Sequence, residues 1–179
     1  MRIISGSLKG RNILTPKNFK GRPTTDFARE GLFNVLSNLI EFDDISILDL
    51  FAGTGAFGLE CISRGAASAI FVEIQSLHVK SIAENFNAYA ISNASTVRQD
   101  VFKYLKMHRN PVDLVFADPP YELENLKSIP DFVLQDSILS EDGIFVLEHG
   151  KSDQFSDHLN FLQERAYGNV RFSFFRRNV

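Results

Sequence analysis

The chain has 179 residues, 44% hydrophobic and 23% charged, which suits one domain built round a single sizeable core. Its one cysteine, Cys61, excludes an internal disulfide and a cysteine-based metal site, so Cys61 is expected as a buried small hydrophobe and no metal is expected. No apolar run approaches the ~18 residues of a membrane span, and Met1-Arg2-Ile3-Ile4-Ser5-Gly6 lacks the apolar stretch of a signal peptide, so a soluble, cytoplasmic protein is expected.

The net charge is −3, yet residues 1–22 hold Arg2, Lys9, Arg11, Lys17, Lys20 and Arg22 and no acid. A basic segment on an acidic body fits a local phosphate-binding surface, although a solvated basic strand pair is the plainer reading. Residues 1–5 and 11–14 read as short strands of a hairpin, and 16–23 as loop. Thr24 or Thr25 can cap a helix starting at Asp26, whose Phe27, Leu32, Phe33, Leu36 and Leu39 or Ile40 recur at helical spacing. From residue 45 onward strands and helices alternate. Strands are expected at 45–51, 69–72, 94–98, 112–117 and 143–147, with one or two more in 166–177. Helices are expected at 57–64, 76–89, from 101 to 106, over most of 122–134, and at 153–162. The strands are near-continuous apolar runs, as in sheets buried on both faces. The fold class is therefore α/β, a doubly wound and mostly parallel sheet, whose ligands bind beyond the carboxyl ends of the strands. Asp49, Glu73, Asp100 and Asp118 all fall at that edge.

The first loop, Asp49-Leu50-Phe51-Ala52-Gly53-Thr54-Gly55-Ala56-Phe57-Gly58, contains G-x-G-x-x-G, and Glu73 stands near the spacing of a ribose-binding acid. That pattern admits a nicotinamide or flavin enzyme. Asp49, four residues before the first glycine, favours S-adenosyl-L-methionine instead. It can accept from the ammonium of that cofactor's methionine tail, and it would repel a pyrophosphate. Asp100, followed by Val101, is placed to accept from an adenine amino group. The cofactor set is thus Asp49, Phe51, Gly53, Gly55, Glu73, Asp100 and Val101.

Asp118-Pro119-Pro120-Tyr121 after the fourth strand supplies an acceptor chemistry. An exocyclic base amine is a poor nucleophile because its lone pair is delocalised into the ring. The Asp118 carboxylate and the Pro119 carbonyl can take its two hydrogens, the prolines stiffen the loop, and Tyr121 offers a ring for stacking. Asp118 also favours the positive charge that develops on the nitrogen. A base within a duplex would have to be flipped out.

At this point the sequence resembles the RsmD-type 16S rRNA guanine-N2 methyltransferases. Met1 to Gly6 with Lys9-Gly10-Arg11 is similar to that family's opening hairpin, and Arg22-Pro23-Thr24-Thr25-Asp26 with Arg29-Glu30 and Leu32-Phe33-Asn34 to its second signature. The resemblance implies a seven-stranded Rossmann-like methyltransferase domain over 23–179 and a substrate-binding extension over 1–22. It also implies methyl transfer to N2 of a guanine in 16S rRNA, within the small ribosomal subunit or its assembly intermediate, by a monomer. It places Arg2, Lys9, Arg11, Arg22, Thr24 and Thr25 on the substrate side. Alternatives are a DNA adenine-N6 or cytosine-N4 methyltransferase, an NAD-dependent oxidoreductase and a non-catalytic RNA-binding factor. His78, His108, His149 and His158 show no ligand spacing and read as surface. Phe172, Phe174 and Phe175 read as core.

Overall fold

The computed structural model describes residues 1–16, 24–135 and 137–177. Seven strands form one sheet in the order β3-β2-β1-β4-β5-β7-β6. They are β1 (Ser46–Leu50), β2 (Ser68–Glu73), β3 (Ala94–Arg98), β4 (Val112–Ala117), β5 (Leu139–Gly150), β6 (Phe161–Tyr167) and β7 (Val170–Arg176). The first five pair in parallel, and β7 runs antiparallel to both β5 and β6. The helices are α1 (Asp26–Leu36), α2 (Ala56–Ser63), α3 (Ser76–Ala88), α4 (Val101–Met107) and α5 (Ile129–Val133).

Successive strand residues serve opposite faces, which is how a short apolar run fills two cores. Ile47, Phe71, Leu114, Phe116 and Val146 pack with α1, α2 and α3. Leu48, Leu50, Val72, Val115 and Leu147 pack with α4 and α5. The N-terminal residues join the first of these layers, with Ile3 and Ile13 buried in it. Cys61 is buried, and so are Phe172, Phe174 and Phe175, as expected of core residues.

Helix starts follow the side chains at their caps. The Thr25 hydroxyl accepts from Ala28 N–H at 3.2 Å and the Asp100 carboxylate from Lys103 N–H at 3.0 Å, each satisfying an otherwise unpaired first-turn donor.

Four expectations need correction. Residues 153–162 form no helix. Phe155 is buried there, but Leu159 is 93% exposed, so no continuous apolar face exists, and β6 already begins at Phe161. Helix in 122–134 is confined to a 3₁₀ turn, Leu126–Ser128, and the single turn of α5, which Pro130 helps to start. The opening hairpin is one antiparallel bridge, Arg2 to Asn12, rather than a strand pair. Two histidines are buried: His149 bonds Ser173 Oγ and the Gly150 carbonyl, both at 2.8 Å, and His108 bonds Tyr104 Oη at 2.9 Å.

Candidate active site

The sheet order brings the carboxyl ends of β1, β2, β4 and β5 to one edge, and a cleft of about 380 Å³ opens there. Of the residues expected on the cofactor side, Asp49, Phe51, Gly53 and Glu73 line it. The whole Asp118-Pro119-Pro120-Tyr121 run and Thr24 line it too. Gly55, Asp100 and Val101 do not. Gly55 starts α2, Asp100 caps α4, and Val101 is buried in the second core. Thr25 is spent on the α1 cap, while Arg2, Lys9 and Arg11 are exposed on the N-terminal segment. Arg22 lies outside the described residues.

The glycine loop is held by acids at both ends. Asp49 Oδ2 accepts from Gly58 N–H at 3.0 Å. Glu73 accepts from Gly53 N–H on one oxygen and Gln75 N–H on the other, each at 2.8 Å, so it ties the loop to the end of β2. Gly58 has no room for a side chain, since a Cβ there would stand 2.4 Å from Phe71 Cε1 and 3.2 Å from Asp49 Oδ2. Phe51 turns with φ +55°, a strained conformation for a bulky residue and one that concentrates at functional sites.

Two residues in the cleft carry chemistry that local motifs did not assign. Glu148 is 3% exposed at the end of β5. Ala117 pairs with Leu147, so the strand register sets Asp118 beside Glu148 one residue further on. The Thr24 hydroxyl reaches both oxygens of Glu148, at 2.8 and 3.0 Å. Arg29, on α1, is 4% exposed and donates through Nη2 to the Arg2 carbonyl at 2.8 Å and to Asp26 at 2.7 Å. Its Nε and Nη1 are buried without a partner among the described residues.

Burial pushes the Asp118 carboxyl up to about 7 and, with the charge of Asp118 next to it, the Glu148 carboxyl up to about 8. Burial also raises Asp49, with Asp118 and Glu73 adding to the effect. The sign of the consequence follows from linkage. Between the ordinary carboxylate range and about pH 8 the folded protein holds protons that the unfolded chain has released, so stability falls as pH rises through that window. Burial lowers His108 and His149, which act in the opposite sense below their ordinary range, so the melting temperature of the ligand-free protein is expected to drop from pH 7 to pH 8. Glu148→Gln should flatten that drop, and a parent curve that rises over this range would contradict it.

A family model described as Conserved hypothetical protein 95 matches residues 1–176. The ribosomal RNA small subunit methyltransferase D of Escherichia coli K12 is 30% identical over 182 residues, covering 100% of this chain and 91% of that protein. The chain belongs to the RsmD family. An RsmD-family protein of Buchnera aphidicola from Acyrthosiphon pisum, also named ribosomal RNA small subunit methyltransferase D, is 35% identical over 150 residues, or 83% of this chain and 78% of that one. The solved structure of the Escherichia coli protein yhhF has a TM-score of 0.86 at 29% identity, covering 100% of this chain and 98% of that one. The RsmD-family match thus includes both the N-terminal segment and the sheet.

Proposed function

We propose that this protein transfers a methyl group from S-adenosyl-L-methionine to the exocyclic N2 of a guanine in 16S rRNA, with a small-subunit particle as substrate and the cytoplasm as its place of work. The observation that carries the reading is the joining, in one cleft, of the acid-braced glycine loop with the Asp118-to-Tyr121 acceptor run. Family membership supports rRNA as the substrate.

The cleft suits the cofactor. The acids Asp49 and Glu73 match its ammonium and ribose hydroxyls, and the two unpartnered buried nitrogens of Arg29 match its carboxylate. A dinucleotide fits less well, because its pyrophosphate would face Asp49, Glu73, Asp118 and Glu148 in one small volume. Bound there, S-adenosylmethionine supplies an electrophilic methyl on a sulfonium. Asp118 and the Pro119 carbonyl accept from the base amine and draw its lone pair out of the ring. Tyr121, 59% exposed at the mouth, stacks on the base. Much of the acceleration is then positioning of nitrogen and methyl in line.

The N-terminal hairpin serves as the RNA-binding extension. Arg2, Lys9 and Arg11 are exposed; Met1, beside Arg2, lines the cleft, while Leu8 meets Ser63 and Arg11 lies over Tyr89 at the far ends of α2 and α3, so Lys9 and Arg11 suit phosphates of flanking RNA rather than those beside the extruded base. Replacing the three by alanine is expected to weaken substrate binding and flatten the log–log salt dependence by about 2–3, one phosphate per side chain. An unchanged slope in filter binding would assign the charge to solubility alone. The reading as a whole is tested by incubating small subunits from a strain lacking this protein with tritiated cofactor and digesting the rRNA to nucleosides. Label in N2-methylguanosine is expected, and label in another nucleoside, or none in the rRNA, would overturn it.

A further inference from the structure

Three base amines could enter an acceptor site of this kind: N6 of adenine, N4 of cytosine and N2 of guanine. On the Watson–Crick edge they differ in the ring atom beside the amine. In adenine and cytosine that atom is a nitrogen bearing a lone pair, whereas in guanine it is N1–H, a donor. Guanine alone therefore presents three hydrogens on adjacent positions of one edge. Asp118 and the Pro119 carbonyl account for two acceptors, which suit the amine of any of the three bases.

The cleft holds a further acceptor on the neighbouring strand. Glu148 lies beside Asp118 through the β4–β5 register and lines the same cleft. In the ligand-free protein burial favours its protonated form, while a bound sulfonium and the N–H donors of the base favour the ionised one; that carboxylate is oriented by the Thr24 hydroxyl, which donates from the segment ahead of α1. A carboxylate fixed on both oxygens by one hydroxyl keeps lone pairs directed elsewhere, since each oxygen can accept twice.

We propose that Glu148 selects guanine by accepting from its N1–H while Asp118 and the Pro119 carbonyl hold the N2 amine. This rests on the guanine-N2 reading above. Three acceptors then meet three donors. Adenine or cytosine would set a ring lone pair against the Glu148 carboxylate, leaving a buried charge facing an acceptor, and such mismatches of polar partners reject a ligand strongly. The acceptor run, shared by enzymes that act on different bases, supplies the chemistry, and the residue at the end of β5 supplies the choice. Thr24 is the positioning residue, because its hydroxyl is spent on the two Glu148 oxygens.

The test compares guanosine with 2-aminopurine riboside, which keeps the N2 amine but carries a lone pair at N1. Binding of each to the complex with S-adenosylhomocysteine is measured by saturation-transfer NMR for the parent and for Glu148→Gln. The parent is expected to prefer guanosine. In Glu148→Gln the amide can donate to the N1 lone pair, so the preference for guanosine should fall by about 10- to 100-fold, the effect of losing one charge-assisted hydrogen bond. The glutamine keeps the shape and an oxygen for Thr24, and an unchanged affinity for S-adenosylhomocysteine shows that the fold is intact. An unaltered preference in Glu148→Gln overturns the proposal while leaving the methyltransferase reading standing. Absence of methyl transfer to small subunits by the parent overturns both.

Discussion

Asp118→Ala is expected to lower methyl transfer to small subunits by about 10²–10³-fold, the usual loss when a charge-stabilising partner of the reacting atom is removed. Affinity for S-adenosylhomocysteine should stay within about twofold in calorimetry, since the proposed arrangement sets Asp118 toward the base and assigns the cofactor to Asp49, Gly53 and Glu73, all of which line the cleft. The two readouts separate chemistry from binding. Stability offers a third. Asp118 is a carboxyl whose charge is penalised by burial, so its removal should not reduce the melting temperature at pH 8 and should raise it. Near-parental turnover in this variant would eliminate the acceptor model. Asp118→Asn, which keeps one carbonyl oxygen but loses the charge, should fall between the two.

Glu60→Ala is expected to cost about 3 kcal/mol, the lower end of the range for stripping one partner from a buried charged network. Glu60 is fully buried in α2 and accepts from Ile4 N–H at 2.6 Å, Ser5 N–H at 3.0 Å and Arg64 Nε at 2.8 Å. Without it, two backbone donors and a guanidinium lose their acceptor together. The guanidinium is held in place regardless, 4.6 Å over the Phe33 ring, so it cannot swing out to water without breaking that stacking. For a chain of this size the loss corresponds to a fall of about 6–12 °C in melting temperature. Glu60→Gln retains one acceptor and should recover part of it. Denaturant titration would measure both, and a change under 1 kcal/mol for the alanine variant would show that the N-terminal segment is secured elsewhere.

The central strands of the parallel core could be read because they are apolar on both faces and their loops carry acids and glycines, although β5 (Leu139–Gly150) runs well past the expected 143–147. β3 and β4 fall at residues 94–98 and 112–117, as the pattern requires. The C-terminal third was harder. Phe155, His158 and Leu159 mimic helical spacing, but only tertiary contact shows that Phe155 packs on Phe175 while Leu159 faces solvent. His149 looks like any strand-end histidine until β7 is placed across from it and Ser173 arrives as its partner. The cleft divides the same way. The acceptor run and the Asp49 loop are contiguous motifs, so sequence reveals them. Glu148 is a strand-end acid like the others, but its importance depends on β5 lying next to β4, which is a property of sheet order. Arg29 belongs to an N-terminal signature, and its place in the cleft follows only from how α1 packs.

The anchoring of the first residues has a consequence for the order in which the protein is made. Ile4 and Ser5 dock on Glu60, Leu8 N–H on Ser63 Oγ, and Leu14 N–H on Asn85 Oδ1, partners 55 to 71 positions later in the chain. A ribosome delivers the N-terminal segment first, yet its binding places do not exist until α2 and α3 have emerged and packed on the sheet. Long loops close late because their entropy must be met before their contacts form. The basic stretch therefore leaves the exit tunnel early and settles after the sheet. In the interval its cationic side chains are exposed within reach of rRNA, and Ile3 and Ile13, later buried, are open to water and to aggregation.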